Sequence, residues 1–153
     1  MKLLLGVFKV EKFGFQNVVS KRTKFHYSEM EKNYEDFASG ITDGGYSIKG
    51  PYFYSLNNVP TDEMIDVEMF FPIIENSFEV EGYQFASYFE INQLLKTTIV
   101  GDFDRTTEHS YAGLLVTLEE NKLNLATPFY HIFPKNGSKY VDLYIGYYRN
   151  ISQ

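Results

Sequence analysis

Residues 65–72 read Ile65-Asp66-Val67-Glu68-Met69-Phe70-Phe71-Pro72, and residues 141–148 read Val141-Asp142-Leu143-Tyr144-Ile145-Gly146-Tyr147-Tyr148. Both stretches alternate with a period of two, the mark of a strand with one buried face. Ile65, Val67, Met69 and Phe71 form one wholly apolar face, and Asp66, Glu68 and Phe70 form the other. In the second stretch Val141, Leu143, Ile145 and Tyr147 are set against Asp142, Tyr144, Gly146 and Tyr148. The same pattern, written twice and half a chain apart, decides the fold.

Working outward, the flanking segments correspond too. Gly50-Pro51-Tyr52-Phe53-Tyr54 falls on Thr127-Pro128-Phe129-Tyr130-His131. Asn33-Tyr34-Glu35-Asp36-Phe37 falls on Ser110-Tyr111-Ala112-Gly113-Leu114, and Val18-Val19-Ser20-Lys21 on Leu95-Lys96-Thr97-Thr98. Any two strand-helix-strand stretches can be slid into some agreement. Four segments in one order and nearly one offset favour a duplication.

Each half reads strand, helix, strand, strand. In the first, residues 17–24 are rich in Val and Thr and suit a strand. Ser28 with Glu31 three residues on predicts a capping box. Met30, Tyr34, Phe37 and Ile41 recur at helical spacing, and Gly40 and Asp43-Gly44-Gly45 mark the helix end. Residues 51–56 and 64–71 are strands, broken by Asn57-Asn58-Val59-Pro60 and closed by Pro72. In the second half residues 94–100 form a strand. Asp104 or Thr106 caps a helix carrying Tyr111, Leu114, Leu115 and Leu118 on one face. Residues 128–133 and 140–147 are strands joined at Lys135-Asn136-Gly137-Ser138, where Asn-Gly suits a hairpin turn. Residues 3–10 and 81–89 are extended stretches ahead of each unit. The fold class is α+β: a duplicated strand-helix-strand-strand unit, a largely antiparallel sheet, helices on one face and a concave groove on the other. Units this small are not expected to bury separate cores, so residues 1–153 are read as a single domain of two repeats, about 1–76 and 77–153.

Composition bounds the chemistry. Fourteen basic side chains against twenty acidic ones give a net charge of −6, and there is no Cys. Disulfides, thiol nucleophiles and Cys-based zinc sites are excluded, and nucleic acid is disfavoured as a partner. The apolar run Leu3-Leu4-Leu5 is short and ends at Lys9, so no signal peptide, membrane span or membrane partner is read and the cytoplasm is expected. Two glycosylation-type triplets, Asn136-Gly137-Ser138 and Asn150-Ile151-Ser152, carry no weight without a secretory signal. His26, His109 and His131 do not share metal-ligand spacing, and neither a Gly-x-Ser-x-Gly elbow nor a phosphate loop is present. No catalytic residue, metal ligand or cofactor is assigned. The acidic helix face at Glu29, Glu31, Glu35 and Asp36 reads as solvated surface.

Aromatics make up 18% of the chain, as 14 Phe and 13 Tyr without Trp. The strand faces turned from the helices therefore join carboxylates to rings. Glu68, Phe70, Asp142, Tyr144 and Tyr148 lie on them by parity. Tyr52, Tyr54, Phe129 and His131 are added from the neighbouring strands, with their side of the sheet left open. Rings supply apolar area and cation–π attraction, and a partly desolvated acid favours a cation. These nine residues are the candidate ligand-binding set. The plain alternative is a wet sheet surface, where Asp, Glu and Tyr are ordinary.

This arrangement resembles the gyrase-inhibitor-like small-molecule-binding domains, also found as effector-binding domains of multidrug-sensing transcription regulators. The resemblance rests on the duplicated plan and on Gly50-Pro51-Tyr52-Phe53-Tyr54 leading to the acidic-apolar strand that ends in Pro72. It implies two halves around a ligand groove and capture of hydrophobic, often cationic molecules against an acid. Glu68 is the matching acid; where relatives place it in the second half, this chain has Tyr144 with Asp142 nearby. Relatives that hydrolyse small electrophiles use a Glu and a Trp, and this chain has no Trp. No helix-turn-helix is read ahead of the domain. More loosely, the chain is similar to small uncharacterised proteins of Gram-positive bacteria, some encoded beside secreted polymorphic toxins. The leading expectation is a non-enzymatic binding module for a small hydrophobic or cationic molecule. A protein-interaction or accessory module (inhibitor, chaperone or toxin-cluster partner) is the alternative, and a hydrolase stands third.

Overall fold

A computed structural model of the chain describes residues 1–58, 62–101, 103–134 and 139–150, without the side chains of residues 103–106. Among the described residues the elements run β1 (Phe8–His26), a 3-10 turn (Tyr27–Glu29), α1 (Met30–Asp43), β2 (Phe53–Leu56), β3 (Met64–Pro72), β4 (Gln84–Val100), α2 (Phe103–Glu120), β5 (Asn124–Leu125), β6 (Phe129–Ile132) and β7 (Tyr140–Tyr148). The class is α+β and the strand ladders within each half are antiparallel. The turn expected at Lys135–Ser138, the cap at Asp104 or Thr106, Val59-Pro60 and the triplet ending at Ser152 lie outside what is described.

The chain divides into two compact units that do not coincide with its sequence halves. One comprises residues 14–90, the other residues 1–13 and 91–153. We call them the Glu68 unit and the Tyr144 unit. Each is built on one repeat and takes its extended lead-in from the other. The expected strands at 17–24 and 94–100 are thus the ends of longer strands that include much of those lead-ins. Both strands pass through a left-handed residue, Asn17 at φ 55° in β1 and Gln93 at φ 57° in β4. Pairing with the last strand of the unit starts one residue later, at Val18↔Pro72 and Leu94↔Gly146.

In the Glu68 unit β3 is central, flanked by β1 and β2. Ile65, Val67, Met69 and Phe71 are buried with Phe37 and Ile41 of α1, and Met30 and Tyr34 pack against them. The 3.6 period of the helix and the 2.0 period of the strand meet on this seam. Full burial of each large side chain contributes about 1.5–3 kcal/mol. The Gly-Pro stretch has a local cause. Lys49 and Gly50 donate backbone N–H groups to the Pro72 carbonyl at 2.8 and 3.3 Å. A Cβ on residue 50 would sit 2.8 Å from the Pro72 Cβ, so only glycine fits against the proline ring. The capping box is not formed. The Ser28 hydroxyl is 2.7 Å from His26 Nδ1, Ser28 lies in the 3-10 turn, and Glu29 caps α1 without a side-chain bond.

The Tyr144 unit repeats the plan with β7 between β4 and β6, and β5 pairing at its far end. Val141, Leu143, Ile145 and Tyr147 are buried with Leu114 and Leu118 of α2 and with Leu95 and Ile99 of β4. Leu115, expected on this face, is 42% exposed. It is rotated by about 100° around the helix from Leu114, which with Leu118 at i, i+4 fills the seam. Among the described residues there are two buried clusters, one per unit. Each cluster gains apolar side chains from its borrowed lead-in: Val7 and Leu4 in the Tyr144 unit, Tyr83 and Phe85 in the Glu68 unit.

Candidate functional site

The strand face of the Glu68 unit turned from α1 carries Asp66, Glu68 and Phe70 on β3. Opposite them stand Lys24, Arg22 and Ser20 on β1, and Ser55 and Phe53 on β2 face Glu68 and Phe70. Arg22, directly across from Glu68, reaches past it. Its guanidinium donates to both Asp66 oxygens, at 2.9 and 2.8 Å. Those hydrogen bonds hold the Asp66 carboxyl below the usual carboxylate range. Glu68 is half-buried and makes no hydrogen bond or ion pair among the described residues.

Beside Glu68 the rings of Phe53 and Phe70 stack at 4.6 Å and an interplanar angle of 4°. Phe89 packs on both, at 5.5 and 5.0 Å, and Phe15 stacks on Phe53 at 5.2 Å. Phe53 and Phe70 are buried, whereas Phe15 and Phe89 are half-buried. The partly exposed surface of this aromatic cluster is therefore offered by Phe15 and Phe89, with Phe53 and Phe70 beneath them.

The matching face of the Tyr144 unit has another character. Lys96 stands across from Tyr144, and Thr98 across from Asp142. Lys96 Nζ lies 3.7 Å from Asp142 and 5.7 Å from the Tyr144 ring centre, and the Thr98 hydroxyl donates to Asp142 at 2.8 Å. Phe13 packs on Tyr144 and Tyr130 at 5.0 and 5.8 Å. Burial, with the nearby Asp142 charge, pushes the Tyr144 hydroxyl up to about 12, so it stays neutral. The one carboxylate of this row is thus already paired. Tyr148, the last residue of β7, is exposed beside β5.

Four candidates sit on the helix side instead. Tyr52 packs edge-on against Tyr34 at 4.6 Å and against Phe71 at 5.3 Å, and Tyr54 joins the same cluster. Phe129 stacks on Tyr111 at 4.1 Å, and the buried His131 ring lies 2.6 Å from the Tyr111 hydroxyl. Burial holds His131 down at about 4 and raises the Tyr54 hydroxyl. Tyr52, just before β2, shares parity with Tyr54 in β2, and Phe129 with His131 in β6; all four pack on the helix side rather than on the face turned from the helices. For β2 the sequence held the cue: Leu56 shares parity with Tyr52 and Tyr54, and Ser55 shares it with Phe53. For Phe15, Phe89 and Phe13, which were not anticipated, the signal lay in the lead-ins and required knowing where those strands run. Among the described residues no three His, Asp or Glu side chains gather as a metal site, and no helix is long and apolar enough to cross a membrane.

Solved structures share this fold. The EcmrR C-terminal domain matches with a TM-score of 0.71 at 12% identity, over 94% of this chain and 96% of that one. In the EcmrR–DNA complex the match spans only 57% of the longer EcmrR chain, with a TM-score of 0.70. A hydrolase from Listeria innocua matches with a TM-score of 0.63 at 11% identity, over 96% and 94% of the two chains. At these identities the likeness is one of fold, and it agrees with the α+β fold that the resemblance implied. No curated protein matches the sequence. Residues 14–149 match the family described as "Domain of unknown function (DUF5085)", and the chain belongs to that family.

Proposed function

We propose that the protein is a non-enzymatic binding module that takes a small hydrophobic cation against Glu68 and the rings of Phe15 and Phe89, with Phe53 and Phe70 as floor. The observation that carries this reading is the state of Glu68. It is half-buried beside an aromatic platform, while the cation across from it is committed to Asp66. A partly desolvated carboxylate with no ion pair of its own is a favourable place for an incoming positive charge, and rings within reach add cation–π attraction. The fold shared with the EcmrR C-terminal domain supports a ligand-binding module in general. The remaining candidates, Asp142, Tyr144 and Tyr148, belong to the Tyr144 unit, where Asp142 is already paired with Lys96, and are left out of this site.

A thermal-shift screen with hydrophobic cations and dyes tests the reading. A true ligand at a hundred times its Kd stabilises by roughly 2.7 kcal/mol, and neutral analogues of equal size do less. If no cation moves the melting point while a stable protein partner is recovered, the interaction-module reading takes its place.

A further inference from the structure

Val7 and Tyr83 hold the same place in the two repeats. Each follows a left-handed glycine, Gly6 at φ +84° and Gly82 at φ +87°, and each packs into the core of its unit. What the two side chains do there differs. The Tyr83 ring stacks on Phe37 at 5.6 Å, and its hydroxyl donates to the backbone carbonyls of Phe37 and Asp36 at 3.2 and 3.4 Å. Valine is too short to make that reach. Along the corresponding path the Tyr144 unit has a cleft of about 320 Å3. Val7 stands on one side of it and Gly113, the counterpart of Asp36, on another. A Cβ on Gly113 would meet nothing within 4 Å. Leu4 and Val116 extend the apolar wall, and Thr97, His109 and Ser110 bring polar atoms.

We propose that this cleft binds a single-ring phenol, with the ring over Leu4, Val7 and Val116 and the hydroxyl among Thr97, His109 and Ser110. The repeat itself supplies the precedent, since a phenol side chain occupies the equivalent path in the Glu68 unit. The volume sits at the small end of ligand pockets, which suits one ring. Among the described residues no Lys, Arg, Asp or Glu lines the cleft, which favours a neutral ligand over an ion. The hydroxyl is placed at the polar end because the Gly113 carbonyl already accepts the Thr117 hydroxyl at 2.8 Å. Thr97 donates to the Gly6 carbonyl at 2.9 Å and keeps lone pairs free to accept from a ligand. This site is separate from the one around Glu68.

The test is a phenol titration of the full chain followed by amide NMR. Saturable shifts centred on Ala112, Gly113 and Val116 are expected, with a Kd on the order of 1 mM for so small a ligand. Val7→Phe and Gly113→Leu each fill the cleft from a different side, and either should weaken binding at least roughly tenfold while the melting temperature confirms folding. Glu68→Gln should leave the titration unchanged. Shifts that do not saturate up to the solubility of phenol, shifts that survive in whichever filling variant folds, or shifts lost in Glu68→Gln would each overturn the proposal.

Discussion

The Glu68 unit and the Tyr144 unit are one design executed with different side chains, and the differences are compensated locally. In the first, Tyr83 reaches α1 and Gly40 leaves room for its hydroxyl, since a Cβ at residue 40 would collide with that oxygen. In the second, Val7 and Thr117 stand at those two places. Thr117 is buried, and its own hydroxyl makes the bond to the Gly113 carbonyl that Tyr83 makes to Asp36. Opposite the helices, Glu68 has no ion pair among the described residues, whereas Tyr144 is neutral and Asp142 is paired with Lys96. Beneath the sheet, Tyr54 in one unit is answered by His131 in the other. A duplicated scaffold thus keeps its packing seams while the two outward faces diverge in charge.

The largest expected effect tests the seams. Phe37→Ala should cost about 4 kcal/mol, and Leu114→Ala, its counterpart, about 3 kcal/mol, both measured by denaturant unfolding. If the two units unfold independently, each substitution should move a separate transition; a single shifted transition would show that they unfold together.

Acid should act on the Tyr144 unit through His131. His131 is held at about 4 by burial, against an unperturbed value near 6.5. Between those values the unfolded chain binds the proton and the folded one does not, so stability falls as pH drops through this window. The contribution is full above pH ~6.5 and amounts to about 3 kcal/mol lost by pH ~4. Urea midpoints between pH 7 and 4 should show this slope, and His131→Phe should flatten it. A slope unchanged by that substitution would remove His131 from the account.

The Tyr83–Gly40 pair gives a smaller, sharper test. Gly40→Ala should lower stability by about 2 kcal/mol by expelling the Tyr83 ring and its hydrogen bonds, even though alanine favours helix. Combined with Tyr83→Val, as in the other unit, it should cost less than the sum of the two single changes. Strict additivity would mean that the ring and the glycine are not coupled. Smallest of all, Arg22→Ala should change stability by less than about 1 kcal/mol, because the Arg22–Asp66 pair is exposed. Its use is to ask whether freeing Asp66 creates a second anionic position beside Glu68.

The sequence was most readable where two periods met. The apolar parities of β3 and β7 and the stripes of Met30, Tyr34, Phe37 and Ile41 were all visible, because burial on one side writes a strict pattern. Residues 50–54 and 127–131 were opaque for the opposite reason. With aromatics on both parities nothing alternates, so Tyr52, Tyr54, Phe129 and His131 were not assigned to a side. The exchange of lead-ins was hidden too, since a local pattern does not say which core a strand joins. Ser28 and Glu31 looked like a capping box, yet a neighbouring imidazole took the serine hydroxyl.

The most direct measurement is calorimetric titration of a tetraphenylphosphonium salt into the wild-type chain, Glu68→Gln and Asp142→Asn. Saturable binding is expected, weakened about tenfold or more in Glu68→Gln, where one partly desolvated charge contact is lost, and unchanged in Asp142→Asn. Equal affinity across all three proteins would contradict the claim that the two faces have diverged into one that receives a cation and one that does not.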